Sequence, residues 1–346
     1  MKATLCIDDA VGEHRRALLD SDGRPFRLEV ERWTERNARA KLDQIRWGRA
    51  KARSLGNRGW FIDLGSGPDG ILETRAIIVE GGLQPVRVKS EAWSDKGPVL
   101  SMADMAASVI RPDRPRLHAE PADDHFLRGF DITETLTGAD AREQIAAAIE
   151  EASQRHVALR DGGDISVERT RGMTVIDVDS GDRKGDADSE GYALALNLAA
   201  GAEAARQVSL RGLGGLVAID FVNMQLPRNR RSVVDGFRKT LGGYLRRASE
   251  VLDMSSLGVC EAAIARRARP LSAAMDMPAA EREALDALRL LETAGWNARG
   301  SRLHARVSVE AANWLEANAS VWKEPLAGRI GARWTIESEQ RPPSQP

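Results

Sequence analysis

Two apolar stretches of the chain share one local pattern, and this repetition constrains the fold more than any other feature of the sequence. The first is MTVIDVD, at positions 173–179, and the second is LVAIDFVNM, at positions 216–224. Each is a continuous hydrophobic run that reaches Ile-Asp and then another hydrophobic residue, and one predicted helix separates the two. This length and content are typical of a strand–helix–strand crossover, which predicts two parallel strands in one sheet.

The pattern places two aspartates, Asp177 and Asp220, at matching points of the two predicted strands. Ligands of open parallel sheets bind beyond the carboxyl ends of the strands, and neighbouring strands lie about 5 Å apart. Two carboxylates at that separation repel each other, and a divalent cation between them removes the repulsion. We therefore predict a metal site at Asp177 and Asp220.

The metal is expected to have oxygen ligands, because the five histidines are scattered and the two cysteines lie far apart. Oxygen ligands favour Mg²⁺, Mn²⁺ or Ca²⁺. A calcium loop of the EF-hand type does not fit, since Gly181 stands where its third acid should be. The alternative is that these aspartates merely suit the turn after a strand. A turn explains Asp182 well, but it explains Asp177 poorly because Val178 continues the strand.

A basic segment follows the second aspartate within thirty residues, in a stretch that reads as a helix interrupted by Gly242 and Gly243. A run of charges is usually a solvated face. Here the run leaves the loop that carries a metal-ligand candidate, which favours a phosphate-rich substrate. A divalent cation beside arginines suits phosphodiester hydrolysis. The basic residues are Arg228, Arg230, Arg231, Arg238, Lys239, Arg246 and Arg247.

The N-terminal third has the pattern of β structure. The first 35 residues read as strands with an SDG hairpin turn, and residues 36–105 contain about five short strands with glycine-rich turns. This pattern predicts a small barrel of the OB type, a fold that binds single strands through exposed aromatic and basic side chains. Trp60 and Phe61 are adjacent on one strand, so at most one belongs to the core. The pattern leaves open whether the other stacks on a base.

The remaining sequence indicates an α/β chain of several units (α+β multidomain) and no membrane partner. The expected units are the N-terminal hairpin 1–35, the barrel 36–105, a linker and helix 106–157, a catalytic unit 158–270 and a small α/β unit 271–346. The formal net charge of −1 does not exclude a nucleic-acid partner, because local clusters of basic residues decide binding. The sequence contains neither a signal peptide nor an apolar run of membrane-spanning length, so a cytoplasmic location is expected.

Several motifs resemble the ribonuclease E/G family, and the resemblance spans nearly the whole chain, most weakly between about 102 and 140. It implies an endoribonuclease that needs Mg²⁺ (or Mn²⁺), cuts single-stranded RNA and leaves 5′-phosphate and 3′-hydroxyl ends. It also implies that the catalytic unit has a deoxyribonuclease-I-like fold. The matching segments are GGDISVERTRGMTVIDVDSG, NLAAGAEAARQVSLRGLGGLVAIDFVNM, RNRRSV, WFIDLGSGPDGIL, VKSEAWSDKGPVLS and VSVEAANWLEAN.

The resemblance also implies roles for individual residues. The two metal-binding aspartates of the family fall on Asp177 and Asp220, and the asparagine that orients the first carboxylate falls on Asp179. The barrel residues that hold RNA fall on Phe61, on Ile71, which is not aromatic, and on Lys96. An arginine that assists catalysis falls on Arg246 or Arg247. Trp60 and the arginines 228, 230 and 231 complete the expected RNA contacts.

Five departures from the family pattern define the alternatives, and the first is Asp179 in place of the family's asparagine. A long 5′-phosphate-sensing segment is replaced by a short proline-rich region, and AAMDMPAAE stands in place of the CPxC zinc link, so neither zinc nor a zinc-bridged dimer is expected. The TEAL element reads Thr170 to Met173, and the DRAR motif is lost. These changes favour, as the second hypothesis, an RNA-binding protein with weakened catalysis. A phosphohydrolase of small molecules is a third, and the oligomeric state is left open.

Overall fold

The computed structural model describes residues 1–36, 38–53, 59–93, 96–106, 108–181, 189–246, 249–298 and 300–339. Its N-terminal sheet contains β1 (Lys2–Asp8), β2 (Glu13–Leu19), β3 (Pro25–Arg32) and β10 (Asp131–Thr137), in the order β10-β1-β2-β3. The predicted hairpin is present: Asp20 accepts the N–H groups of Asp22 and Arg24, and Gly23 adopts the positive φ that the turn requires. A short 3₁₀ helix, Trp33–Glu35, follows β3.

Strand β10 was not predicted, although it lies within the range read as a linker and a helix. It pairs in parallel with β1, and α1 (Gly138–Ser153) then packs on the N-terminal sheet through Ile145 and Ala148. The side chains of β10 are largely exposed, so the hydrophobic pattern that reveals a buried strand is absent from its sequence. The barrel is thus inserted between strands of one sheet. The predicted unit boundaries themselves stay predictions.

The predicted OB-type barrel is confirmed. Strands pair around a closed ring in the order β4-β5-β6-β8-β7 and back to β4, with β6 and β8 parallel. Outside the ring, β9 (Arg116–Ala119) pairs with β4. This strand lies in the region that was interpreted as a linker. The ring strands are β4 (Ile45–Arg53), β5 (Gly59–Asp63), β6 (Gly70–Glu73), β7 (Leu83–Ser90) and β8 (Val99–Met102).

The central sheet contains both strands of the repeated pattern. Its spatial order is β11-β12-β13-β14-β16-β15, and only β13 and β14 are parallel. One helix, α2 (Ser189–Leu210), connects these two strands, so the predicted crossover is confirmed. The six strands are β11 (His156–Ala158), β12 (Asp164–Arg169), β13 (Met173–Asp179), β14 (Gly215–Asp220), β15 (Ser249–Val251) and β16 (Val259–Ile264).

Helix α3 (Pro227–Leu245) packs beside α2 on one face of the central sheet. The prediction that Gly242 and Gly243 interrupt this helix was wrong, because packing of Leu241 and Leu245 into the core keeps both glycines helical. The helix ends instead at Arg246, which adopts a left-handed conformation with φ of 51°. Ser249–Val251, which the sequence pattern placed in this helix, forms β15.

The C-terminal α/β unit has the predicted alternation of helix and strand. It comprises α4 (Leu271–Met275), α5 (Ala279–Asn297), β17 (Leu303–Ser308), α6 (Val309–Ala317), α7 (Ala319–Ile330) and β18 (Trp334–Glu339), with β17 and β18 parallel. Fully buried Glu292 of α5 joins this unit to the rest by accepting from Arg142 of α1 and the N–H of Val11. Across the described ranges, every helix is too short or too polar to span a membrane. The cytoplasmic location stays a prediction.

Candidate metal centre and nucleic-acid interface

The aspartate pair, Asp177 and Asp220, is brought together by the register of the central sheet. The two residues are direct partners across the parallel strands β13 and β14, so their Cα atoms lie about 4.8 Å apart. Buried neighbours Ile176 and Ile219 point into the core and fix both strands. Because side chains alternate, both carboxylates leave the sheet on the opposite face, and both are exposed.

The electrostatics of the pair favour a bound cation. Partial burial raises the pKa of Asp177 above its usual value, and the negative charges of Asp220, Asp179 and Asp164 raise it further. Asp164 lies next to the pair because it is the register partner of Asp179 on β12. A positive ion between the carboxylates would reverse this unfavourable environment.

The donor set fits Mg²⁺ or Mn²⁺ with few protein ligands. Within the part of the chain that the structure describes, no group of three or more acid, histidine or cysteine side chains is arranged to hold a metal. The site therefore offers two carboxylates, and Mg²⁺ commonly binds through one or two carboxylates with water and substrate phosphate completing its shell. The chemistry of the residues is compatible with such an ion.

Asp179 has a local role in the structure. Its side chain accepts the N–H of Gly181 at 2.8 Å, and Gly181 has a positive φ of 65°. This is the aspartate turn that the sequence offered as an alternative for the acids of this stretch. As an ionised carboxylate Asp179 only accepts hydrogen bonds, whereas the asparagine expected at this position also donates. Asp182, interpreted as a turn residue, lies outside the described residues.

Two side chains of α2 position the loop after Asp220, and neither was predicted from the sequence. Buried Asn197 donates to the carbonyl of Val222 at 2.7 Å and accepts its N–H at 3.0 Å. Glu190 accepts the N–H groups of Gln225 and Leu226 at the start of α3. An amide inside the apolar stretch ALALNLAAG was the available signal for Asn197, because a buried polar group needs a partner.

The predicted arginines separate into two groups. Arg228, Arg230 and Arg231 lie in the first turns of α3, which starts seven residues after Asp220, so they lie at the same edge as the aspartate pair. Arg246 follows the last residue of this 19-residue helix, so it lies about 28 Å along the axis from the start of α3. The structure does not bring Arg246 to the pair, and Arg247 lies outside the described residues.

The barrel presents one aromatic residue of the predicted two. Trp60 is 7% exposed and belongs to the barrel core, which removes it from the expected RNA contacts. Phe61 points outward, with 37% of its surface exposed, as strand alternation requires. Ile71 is its partner on β6, and exposed Val99 on β8 continues the row. The exposed residue Lys96 lies just before β8.

Trp93 connects the barrel to the central sheet and was not predicted. Its ring lies 3.8 Å from the guanidinium carbon of Arg169 and 5.2 Å from that of Arg266. Two backbone hydrogen bonds pair Trp93 with Lys96, so the predicted RNA-binding lysine is fixed next to this contact. Because Arg169 is the register partner of Thr174, the contact lies at the start of β13, three residues or about 10 Å along the strand from Asp177.

Comparisons with known proteins agree with these features. The model of the ribonuclease E/G family matches residues 133–267. Ribonuclease E of Haemophilus influenzae is 36% identical over 238 residues, which is 65% of this chain and 24% of that protein. Ribonuclease E of Escherichia coli is 34% identical over 185 residues, covering 50% and 17% respectively, and its ribonuclease G is 33% identical over 113 residues, covering 33% and 23%. The chain thus spans about a quarter or less of the curated relatives it matches.

Proposed function

Because this chain belongs to the ribonuclease E/G family, we propose that it is a metal-dependent endoribonuclease that cuts single-stranded RNA. The observation that carries the proposal is the register pairing of Asp177 with Asp220, two exposed carboxylates on one face of neighbouring parallel strands. Mg²⁺ or Mn²⁺ is the proposed cofactor, since only oxygen ligands are offered. The products we propose carry 5′-phosphate and 3′-hydroxyl ends.

Each part of the site has a separate task in this proposal. A metal held by the aspartate pair would activate water and neutralise the charge that develops on the phosphate. Asn197 and Glu190 hold the loop after Asp220 in place, so the second carboxylate has a fixed position. Arg228, Arg230 and Arg231 bind backbone phosphates beside it. On the barrel, Phe61 stacks on a base and Lys96 pairs with a phosphate.

Incubation of the pure protein with a labelled, unstructured RNA and Mg²⁺ tests this function. We expect cleavage that EDTA abolishes, and a loss of about 100-fold or more in rate for Asp177→Asn and for Asp220→Asn. Asp286→Asn, which changes an exposed aspartate of the C-terminal unit, is the matched control and should cut like the wild type. Equal cutting by the wild type and both pair variants would refute the assignment.

A second candidate is an RNA-binding protein whose catalysis is weakened, and Asp179 is the observation that favours it. Its carboxylate occupies a turn and cannot donate to a neighbouring carboxylate as an amide would. This candidate predicts salt-sensitive RNA binding with little cleavage, and it predicts that Asp179→Asn increases the rate. If Asp179→Asn instead cuts more slowly than the wild type, Asp179 is not the cause of weakened catalysis. That result would indicate that this third acid contributes to metal binding.

A further inference from the structure

A cavity of about 390 Å³ lies far from the aspartate pair, where the N-terminal sheet, the segment before β10 and the end of α3 meet. Its wall includes Arg27 of β3, Arg246 after α3 and Arg267 after β16. We call these three residues the guanidinium cluster. A cavity of this size accommodates a small ligand such as a mononucleotide.

The guanidinium cluster brings three positive groups close together. Arg27 and Arg246 lie on the ring of Phe130, with guanidinium carbons 5.0 and 5.8 Å from its centroid. Burial lowers the pKa of Arg27 to about 10, and the charge of nearby Arg267 acts in the same direction. Like charges gather in this way where an anion is bound, because each one alone would repel the others.

The carboxylates around the cluster are occupied by other partners. In the described ranges, neither Arg27 nor Arg246 forms an ion pair, and Arg27 donates only to backbone carbonyls, such as that of Phe126 at 2.8 Å. The acids whose charges act on Arg27 are Glu29 and Asp124, and both are paired with Arg16. Asp43 is shared between Arg128 at 3.1 Å and Arg267 at 3.4 Å.

Other acids of the wall also have basic or amide partners: Glu31 with Lys41, Glu91 with Arg39, Glu120 with Gln44 and Asp123 with Arg128. Glu29 and Asp124 act on Arg27 from a distance, but within the described part of the chain no carboxylate forms an ion pair with Arg27 or Arg246. An entering anion would meet guanidinium groups without displacing an ion pair at these two residues.

The backbone supports a specific placement of Arg246. Its φ of 51° is the left-handed conformation that glycine usually adopts at the end of a helix. Its side chain then passes Gly129, where a Cβ atom would come within 3.2 Å of the Cγ of Arg246. A non-glycine residue in this conformation beside a glycine that leaves room for it is a marker of a functional constraint.

We propose that this cavity binds a phosphate group, held by Arg27, Arg246 and Arg267. The phosphate could belong to an RNA strand that also reaches the aspartate pair or to a free mononucleotide, since both present the same chemistry. The site does not depend on the proposed cleavage reaction.

Binding measurements in EDTA separate this site from the metal centre. The probes are AMP, adenosine and a single-stranded RNA of 20 nucleotides, tested on wild type, Arg246→Ala and Arg267→Gln. A nucleotide site predicts that AMP binds, that adenosine does not, and that both variants weaken AMP about tenfold. An RNA contact predicts instead a loss of RNA affinity and a salt slope reduced by about one in each variant.

Arg238→Ala is the matched control, because it removes an exposed arginine from the same helix. It should leave AMP binding unchanged and lower RNA affinity less than either cluster variant. If both cluster variants bind AMP and RNA as the wild type does, the proposal is overturned. That result would not affect the proposal of cleavage at the aspartate pair. Conversely, if the wild type binds AMP but cleaves no RNA, and Arg246→Ala loses AMP binding, the phosphate site stands and the cleavage proposal fails.

Discussion

Asp177, Asp179 and Asp220 show how identical side chains acquire different roles from their positions. Asp177 and Asp220 are register partners whose carboxylates share one face of the sheet. Asp179 is directed to the N–H of Gly181 and closes a turn. The sequence predicted the pair because the apolar pattern repeats after one helix, and the repeat fixes the register. It could not predict the orientation of Asp179, because that depends on the backbone of the turn.

Replacing Asp177 by asparagine should stabilise the metal-free protein. Its folded-state pKa is raised, so the charged carboxylate is less favourable in the folded than in the unfolded chain at neutral pH. The group is largely solvated, and the gain is at most about 0.5 kcal/mol, or roughly 1–2 °C in the unfolding midpoint. Thermal unfolding in EDTA at pH 7 measures it.

The gain should vanish as the pH falls well below the unfolded pKa of the carboxyl, because both states are then protonated. Mg²⁺ should raise the midpoint of the wild type and have little effect on Asp177→Asn. A variant less stable than the wild type in EDTA at pH 7 would show that the pair is not electrostatically unfavourable without a metal.

At the scale of elements, the long apolar signals were predictable and the polar contacts between elements were not. The barrel and the crossover follow from alternation and from continuous hydrophobic runs. By contrast, β10 has exposed side chains, and its pairing with β1 joins residues about 130 positions apart. The contacts of Asn197 with Val222 and of Glu190 with the start of α3 also depend on tertiary proximity. They determine where Asp220 and the first arginines of α3 lie.

Asn197→Ala should destabilise the protein and reduce cleavage together. The change leaves the N–H and carbonyl of Val222 without the partners they have now, at a cost of about 1–3 kcal/mol. Urea unfolding and kcat on a short RNA are the measurements. Asn318→Ala is the control, since it removes an amide bonded to a carbonyl in the C-terminal unit and should leave kcat unchanged. Unchanged kcat in Asn197→Ala would exclude a positioning role for this residue.

At the scale of the whole molecule, the contacts of Trp93 fix the barrel at one end of the central sheet while the aspartate pair lies at the other. The strand rises about 10 Å from Thr174, beside the Trp93 contact, to Asp177. An RNA strand that contacts the barrel must extend over this additional distance to reach the aspartate pair. RNA held at Phe61 and Lys96 would have to follow this direction to reach the pair. Lys96 was predicted from the family resemblance. The contacts of neighbouring Trp93 could not be predicted, because Arg169 and Arg266 come from distant segments of the chain.

Trp93→Ala should therefore raise KM for a long RNA more than it lowers kcat. A cation–π contact of this kind is worth about 0.5–2 kcal/mol, which corresponds to roughly a two- to thirtyfold rise in KM. Trp296→Ala is the matched control, because Trp296 of the C-terminal unit makes a similar contact away from the barrel. The centroid of its ring lies 4.5 Å from the guanidinium carbon of Arg142 of α1. Equal KM values for wild type and Trp93→Ala would show that this contact does not position RNA.

The aspartate pair as a metal site is the central claim, and Mn²⁺ binding followed by electron paramagnetic resonance tests it without relying on activity. We predict about one tightly bound Mn²⁺ per wild-type chain, competition by Mg²⁺, and loss of this binding in Asp177→Asn and Asp220→Asn. Asp286→Asn should bind Mn²⁺ like the wild type. Unchanged Mn²⁺ binding in both pair variants would contradict the account.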